Sequence, residues 1–233
     1  MKKIGVIGGL SWVSTAEYYR RINEMVQERL GGVHSADLVM ASVDRQDYVD
    51  AVIERRDEAA AGDVVLNAAR SLEAAGVDFI VISCNDAHRF VPRMEGEVSI
   101  PFLHIADATA GAIRERGQKT VALIGVRKTM EGGFYADRLS AHGIATILPE
   151  EDEKAYLHAS IFDELVKDVF LDTTRARYVD LVGSLHDRGA EGVVLGCTEI
   201  PLLIVETDTE VPLYATTEIH CRAAVDMALA ETS

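Results

Sequence analysis

Short runs of β-branched and apolar residues alternate along this chain with segments of helical period, and that alternation restricts the fold more than any other feature of the sequence. Ile4 to Ile7 is such a run, stopped by Gly8 and Gly9. After it, Ser14 and Thr15 can cap a helix whose apolar positions pass through Tyr18, Ile22 and Met25. Leu38 to Val43 reads as a second strand. The segment 57–75 is rich in Ala, Leu and Glu, with Gly76 placed to end it. Phe79 to Ser83 is a third strand, and Pro101 to Ile105 opens a fourth, followed by a helix that ends at Gly117. Strands that alternate with helices pair in parallel, and a parallel sheet needs cover on both faces.

After Gly117 the same order starts again. Val121 to Ile124 with Gly125 echoes Ile4 to Ile7 with Gly8; Val193 to Leu195 before Cys197 echoes Phe79 to Ile82 before Cys84; VPLYATTEIH echoes IPFLHIADAT at nearly the same offset. Any α/β chain yields some echoes of this kind, but agreement of the offsets favours an internal repeat. The expectation is an α/β protein of two pseudo-symmetric lobes, each a mostly parallel four-stranded sheet flanked by helices. The first lobe takes residues 1–104 plus 212–233 and the second 105–211. The last strand and helix, Val211 to Ala230, have no third lobe to join and are expected to return to the first. Two crossings between lobes would leave a cleft with a hinge, where the active site is expected.

With 233 residues, 48% hydrophobic and 26% charged, the chain has the composition of a globular protein with room for a substantial core. Its net charge of -15 repels phosphate backbones and anionic membranes, which argues against nucleic acid or a membrane as partner. The opening MKKIGVIGG meets glycine too early for a signal peptide, and no apolar stretch approaches the roughly 18 residues of a membrane span. A cytoplasmic location with reduced thiols is expected. Three cysteines cannot all pair with one another, and no spaced metal cluster is visible, so no metal is assigned.

Cys84 and Cys197 each close an apolar run, in VDFIVISCNDAH and AEGVVLGCTEI. Ligands of parallel sheets sit beyond the carboxyl ends of the strands, where both thiols fall. Backbone N–H groups at the start of the next helix would favour a thiolate there, below the roughly 8.5 of a free thiol. A lone cysteine at a strand end is more often packing than chemistry, but two at matching positions favour chemistry.

The stretch MKKIGVIGGLSWVSTAEYYRRIN, the CN-x-AH pattern at Cys84 to His88, IPFLHIADAT and GCTEIPLL at Gly196 to Leu203 together resemble the aspartate/glutamate racemase family of cofactor-independent amino-acid racemases, over nearly the whole chain. The glycine-rich start alone reads G-x-x-G-G and lacks the dinucleotide fingerprint. The resemblance implies a two-base mechanism with Cys84 and Cys197 as catalytic residues: one thiolate removes the α-proton while the other thiol protonates the opposite face, without pyridoxal phosphate or any other cofactor. By the same resemblance Cys197 serves the L enantiomer and Cys84 the D. It also implies a small amino-acid substrate, aspartate, glutamate or a related one, and a homodimer.

Substrate in this family is held by backbone N–H groups, hydroxyls and a few basic side chains. The positions here are Ser14, Thr15, Asn85, Thr129 and Thr198, with the basic residues Arg45 and Lys167 similar to carboxylate contacts. Ser14 and Thr15 can equally be helix caps, and Arg45 and Lys167 solvated surface charge. His88, His220 and Cys221 read as structural, and Glu199 as either an orienting residue or a favourable charge at a helix start. The chain also departs from the family pattern. Asp86 stands where a threonine is common, Val126 replaces a frequent threonine, and Ala215 stands where an aspartate often precedes TT-x-IH. An ionised Asp86 repels a carboxylate and attracts an ammonium, so aspartate itself comes into question as substrate and Asp86 joins the binding residues. Hydantoin racemases, maleate isomerases and a decarboxylase share the two-cysteine plan. A nucleotide-binding oxidoreductase and a non-catalytic amino-acid-binding protein are the readings outside it.

Overall fold

The computed structural model describes residues 1–230, and the chain divides into two compact units: Met1–Ile105 with His220–Ser233, and Ala106–Ile219. Both divisions fall in helices, at the start of Ile105–Glu115 and inside Thr216–Leu229.

In the first unit, β1 (Ile4–Gly8), β2 (Leu38–Ser42) and β3 (Phe79–Ile82) form a parallel sheet in the order β2-β1-β3. Successive residues point to opposite faces, and the buried residues sort accordingly. Ile7, Ile80 and Ile82 join one core with Val65, Leu66 and Leu72 of the helix Glu58–Ala74. Ile4, Val6, Phe79 and Val81 join another with Tyr18, Ile22 and Val26 of the helix Trp12–Leu30 and with Ala224, Val225 and Ala228 near the C-terminus. Burial on both faces is why these strands read as unbroken apolar runs. The fourth strand expected here shrinks to a single parallel bridge between Ile80 and Phe102. Pro101 accepts from the Ile80 N–H and the Leu103 N–H donates to the Ile80 carbonyl, both at 2.9 Å, but the Leu103 carbonyl is then bonded to His220 Nε2 at 2.8 Å and the ladder goes no further.

In the second unit, β4 (Thr120–Ile124), β5 (Ala145–Ile147), β6 (Val193–Leu195) and β7 (Leu213–Ala215) make a four-stranded parallel sheet in the order β5-β4-β6-β7. Its core packs Ile124, Val193 and Leu195 with Tyr178, Val182 and Leu185 of the helix Asp172–Asp187. The strand order matches that of the first sheet once the Phe102 bridge is counted in fourth place. One expectation needs correction. The last strand does not return to the first lobe: β7 pairs with β6, Leu195 opposite Ala215, and only the chain from His220 onward belongs with the first unit.

Candidate active site

The two cysteines leave their sheets at corresponding places, Cys84 two residues after β3 and Cys197 two residues after β6. In each unit that strand neighbours the one whose glycine-ended loop opens the repeat.

Around Cys84 the chain is drawn tight by hydroxyls. Gly9 has φ 87°, and a Cβ there would lie 2.1 Å from the Val43 carbonyl oxygen, so only glycine lets the β1 loop close against the end of β2. The helix that follows is capped by Ser11, not by Ser14 or Thr15: the Ser11 side chain accepts from the Ser14 N–H, and Ser14 and Thr15 lie inside the first turn. Both are buried, and both donate back to the Ser11 carbonyl, at 3.1 and 2.7 Å. The Ser14 hydroxyl also reaches the Ser83 carbonyl at 3.2 Å, and that of Thr15 lies 3.0 Å from Ser83 Oγ. Their geometry braces the residue before Cys84.

Behind the Cys84 peptide lies a cluster of neutral imidazoles. His88 Nδ1 is 2.8 Å from the Cys84 carbonyl, which can only accept, so Nδ1 carries the proton and Nε2 the lone pair. Burial, with His104 and His220 nearby, holds His88 well below the usual histidine range. His220 donates Nε2–H to the Leu103 carbonyl and accepts from the Tyr18 hydroxyl at Nδ1 (2.8 and 2.9 Å); burial pushes its pKa down to about 4. The structural reading of these two histidines fits this geometry, with His88 tied directly to the backbone of Cys84.

Asp86 is not the isolated anion its position in the sequence suggests. Its Oδ2 accepts from the Tyr48 hydroxyl at 2.9 Å and from Arg89 Nη1. Arg89 Nη1 also reaches the Tyr48 hydroxyl at 2.7 Å and the Asp86 carbonyl at 3.0 Å, and Nε pairs with Glu58 at 3.0 Å. Burial works against the guanidinium's charge, but Asp86, Tyr48 and Glu58 outweigh it and hold the pKa above its ordinary value. Burial, then Asp86, drives the Tyr48 pKa well up, and Cys84 adds to the effect, which puts the thiol within electrostatic reach of the cluster. Arg89 and Tyr48 escaped sequence reading. The (i, i+3) spacing of Asp86 and Arg89 was the available signal.

Around Cys197 the same plan holds a different partner. A Cβ on Gly196 would meet the Ile124 carbonyl oxygen at 2.8 Å, so glycine is needed where β6 runs past the end of β4. The Cys197 thiol donates to Glu199 Oε2 at 3.0 Å, and the Thr198 hydroxyl donates to the same oxygen at 3.0 Å. Glu199 is only 2% exposed. Thr129 is buried nearby, its methyl 3.1 Å from where that Gly196 Cβ would stand, and the Thr216 hydroxyl donates to the Leu195 carbonyl at 2.8 Å.

The remaining residues separate. Asn85 is buried beside Cys84, and Arg45 is half-buried at the start of a short helix, Arg45–Val49. Lys167 stands on the surface, its side chain 61% exposed and 3.9 Å from Asp163. Cys221 is buried in the first unit's second core. Among the described residues no group of three or more His, Cys, Asp or Glu could hold a metal ion, and no helix is long and apolar enough to cross a membrane.

Residues 7–224 match the family model described as Asp/Glu/Hydantoin racemase. The broad specificity amino-acid racemase of Bacillus subtilis is 23% identical, over 99% of this chain and 100% of its own. A Yersinia pestis structure provisionally assigned as an Asp/Glu racemase superposes with a TM-score of 0.91 at 41% identity, covering 99% of this chain and 100% of the other. An aspartate racemase homologue from Pyrococcus horikoshii gives a TM-score of 0.85 at 32% identity, with 99% and 100% covered.

Proposed function

Because the chain belongs to the Asp/Glu/Hydantoin racemase family, we propose that it inverts amino acids at the α-carbon by a cofactor-independent two-base proton transfer, with Cys84 and Cys197 working on opposite faces of one substrate carbon. One observation carries the reading. Two thiols end matching strands, and beside each lie buried polar atoms that have no hydrogen-bond partner among the described residues: His88 Nε2, Asp86 Oδ1 and Arg89 Nη2 with Cys84, and Thr129 Oγ1 and Glu199 Oε1 with Cys197. Each such atom costs roughly 1–3 kcal/mol when left unmet, so their concentration at two places supports a polar ligand there.

From the L enantiomer, Cys197 as thiolate takes the α-proton, its own proton having passed to Glu199 along the 3.0 Å contact. Cys84 as thiol delivers a proton to the opposite face and is left as thiolate; the reverse reaction exchanges the roles. The charge that develops on the substrate carboxylate needs donors, and Asn85 and Thr129 are the buried candidates, with Arg45 supplying positive charge, while Thr198 spends its hydroxyl proton on Glu199. Ser14 and Thr15 brace the Cys84 strand end, since their hydroxyl protons are directed at backbone carbonyls.

The test is incubation with a panel of L- and D-amino acids in deuterated water, following α-deuteration by NMR and configuration by chiral chromatography. Exchange accompanied by inversion is the expected result. Isomerisation, loss of carbon dioxide, or turnover of hydantoins alone would move the chain to another chemistry of the same family.

A further inference from the structure

We propose that Asp86 and Arg89 form the side-chain recognition site of this enzyme and select amino acids whose side chain is neutral and carries both a hydrogen-bond donor and an acceptor, a carboxamide or a hydroxyl. The inference rests on the racemase reading above and adds the substrate class to it.

The two residues hold each other in place and keep one atom apiece unused. Asp86 spends Oδ2 on Tyr48 and Arg89, and Arg89 spends Nη1 on Asp86 and Tyr48 and Nε on Glu58. Asp86 Oδ1 and Arg89 Nη2 are buried and have no partner among the described residues. The side chains are 15% and 10% exposed, so water reaches them poorly. A buried carboxylate oxygen accepts and a guanidinium nitrogen donates, and neither can exchange roles. A ligand that meets both must therefore donate to one and accept from the other.

That requirement sorts the common side chains. A carboxylate only accepts: it satisfies Arg89 but sets an anion against Asp86. An ammonium only donates: it satisfies Asp86 but sets a cation against Arg89. An aliphatic group meets neither atom. A carboxamide meets both, with its carbonyl on Nη2 and its amide N–H on Oδ1, and a hydroxyl does the same with one oxygen. Asp86 and Arg89 lie on the single turn Asp86–Phe90 that starts two residues after Cys84, and His88 of that turn is bonded to the Cys84 carbonyl at 2.8 Å, so a side chain attached to the reacting carbon would be read there.

The test compares kcat/KM for asparagine, glutamine and serine with that for aspartate, glutamate and lysine, in the wild-type chain and in Asp86→Asn and Asp86→Thr. Wild type should favour the neutral polar group. The asparagine-to-aspartate ratio should fall by about 10-fold or more in both variants, the effect of removing one charge-assisted hydrogen bond and one repulsion. Loss of folding alone lowers all substrates together and leaves the ratio unchanged. An unchanged ratio in a variant whose unfolding free energy matches wild type, or a wild-type preference for aspartate or lysine, overturns the assignment while leaving the racemase intact. Failure to exchange any amino acid removes the racemase reading and this inference with it.

Discussion

Cys84 and Cys197 occupy equivalent places in two sheets of the same strand order, and each is followed two residues later by a carboxylate, Asp86 or Glu199. The environments diverge from that point. Asp86 is taken up by Arg89 and Tyr48, its charge countered by the guanidinium. Among the described residues no cation pairs with Glu199; it accepts the Cys197 thiol itself. One repeat position thus yields an ion pair in the first unit and a hydrogen-bond acceptor for the thiol in the second. A carboxylate at fixed spacing has no fixed role, because the partner within reach decides whether its charge is neutralised or used.

The comparison breaks outright if either thiol is dispensable. Cys84→Ala and Cys197→Ala should each lower racemisation by about 10²- to 10⁴-fold, measured as inversion of a single enantiomer by chiral chromatography. A variant that turned over normally would leave only one catalytic surrounding.

Arg89→Met strikes the first surrounding alone. It strands a buried Asp86, and unfolding in denaturant should show a loss of roughly 3–5 kcal/mol, whereas the double change Asp86→Leu with Arg89→Met should recover most of it. Equal instability of single and double variants would mean that the pair acts through packing rather than charge.

Acid should likewise affect the first unit before the second. His220 stays neutral in the folded protein down to about pH 4, while an unfolded histidine takes up a proton near 6.5. Its contribution is therefore complete above pH 6.5 and is lost as pH falls toward 4, by roughly 3 kcal/mol, with His88 shifted in the same direction. Hydrogen exchange at pH 5 against pH 7 should show protection falling in β1 and β3 more than in β4 and β6. Uniform loss would remove the imidazole cluster as the cause.

Glu199→Gln makes the subtlest cut. It keeps the shape but gives up the charge that receives the Cys197 proton, and kcat should fall by about 10- to 100-fold with little change in unfolding free energy. The pH profile of kcat should move as well, a change that a purely packing role for Glu199 would not produce.

Much of this was legible from residue patterns. The β-branched runs ending at Ile7, Ile82, Ile124 and Leu195 are strands because both sides of a parallel sheet are buried, and Gly9 and Gly196 marked loops that approach too closely for a Cβ. Other features depended on contacts between residues distant in sequence. Tyr48 meets Asp86 across 38 positions, and no local pattern announces it. The helix cap moved to Ser11 because a hydroxyl three residues earlier was equally suitable, and Ser14 and Thr15 then served the Ser83 peptide. Symmetry of the repeat suggested a fourth strand in the first sheet, but the Leu103 carbonyl is bonded to His220 Nε2 and not to the ladder, although β7 forms behind the equivalent Pro212. Lys167 resembles a family carboxylate contact in sequence, but its side chain stands in solvent beside Asp163.

The first unit is assembled from both ends of the chain: Ala224, Val225 and Ala228 fill the core that β1 and β3 present on one face, and the Lys2 N–H is bonded to the Ala228 carbonyl at 2.8 Å. During synthesis β1 and β3 must therefore wait for residues translated after the whole of the second sheet. A chain cut before His220 would hold all four strands of the second sheet and lack residues that close this core of the first.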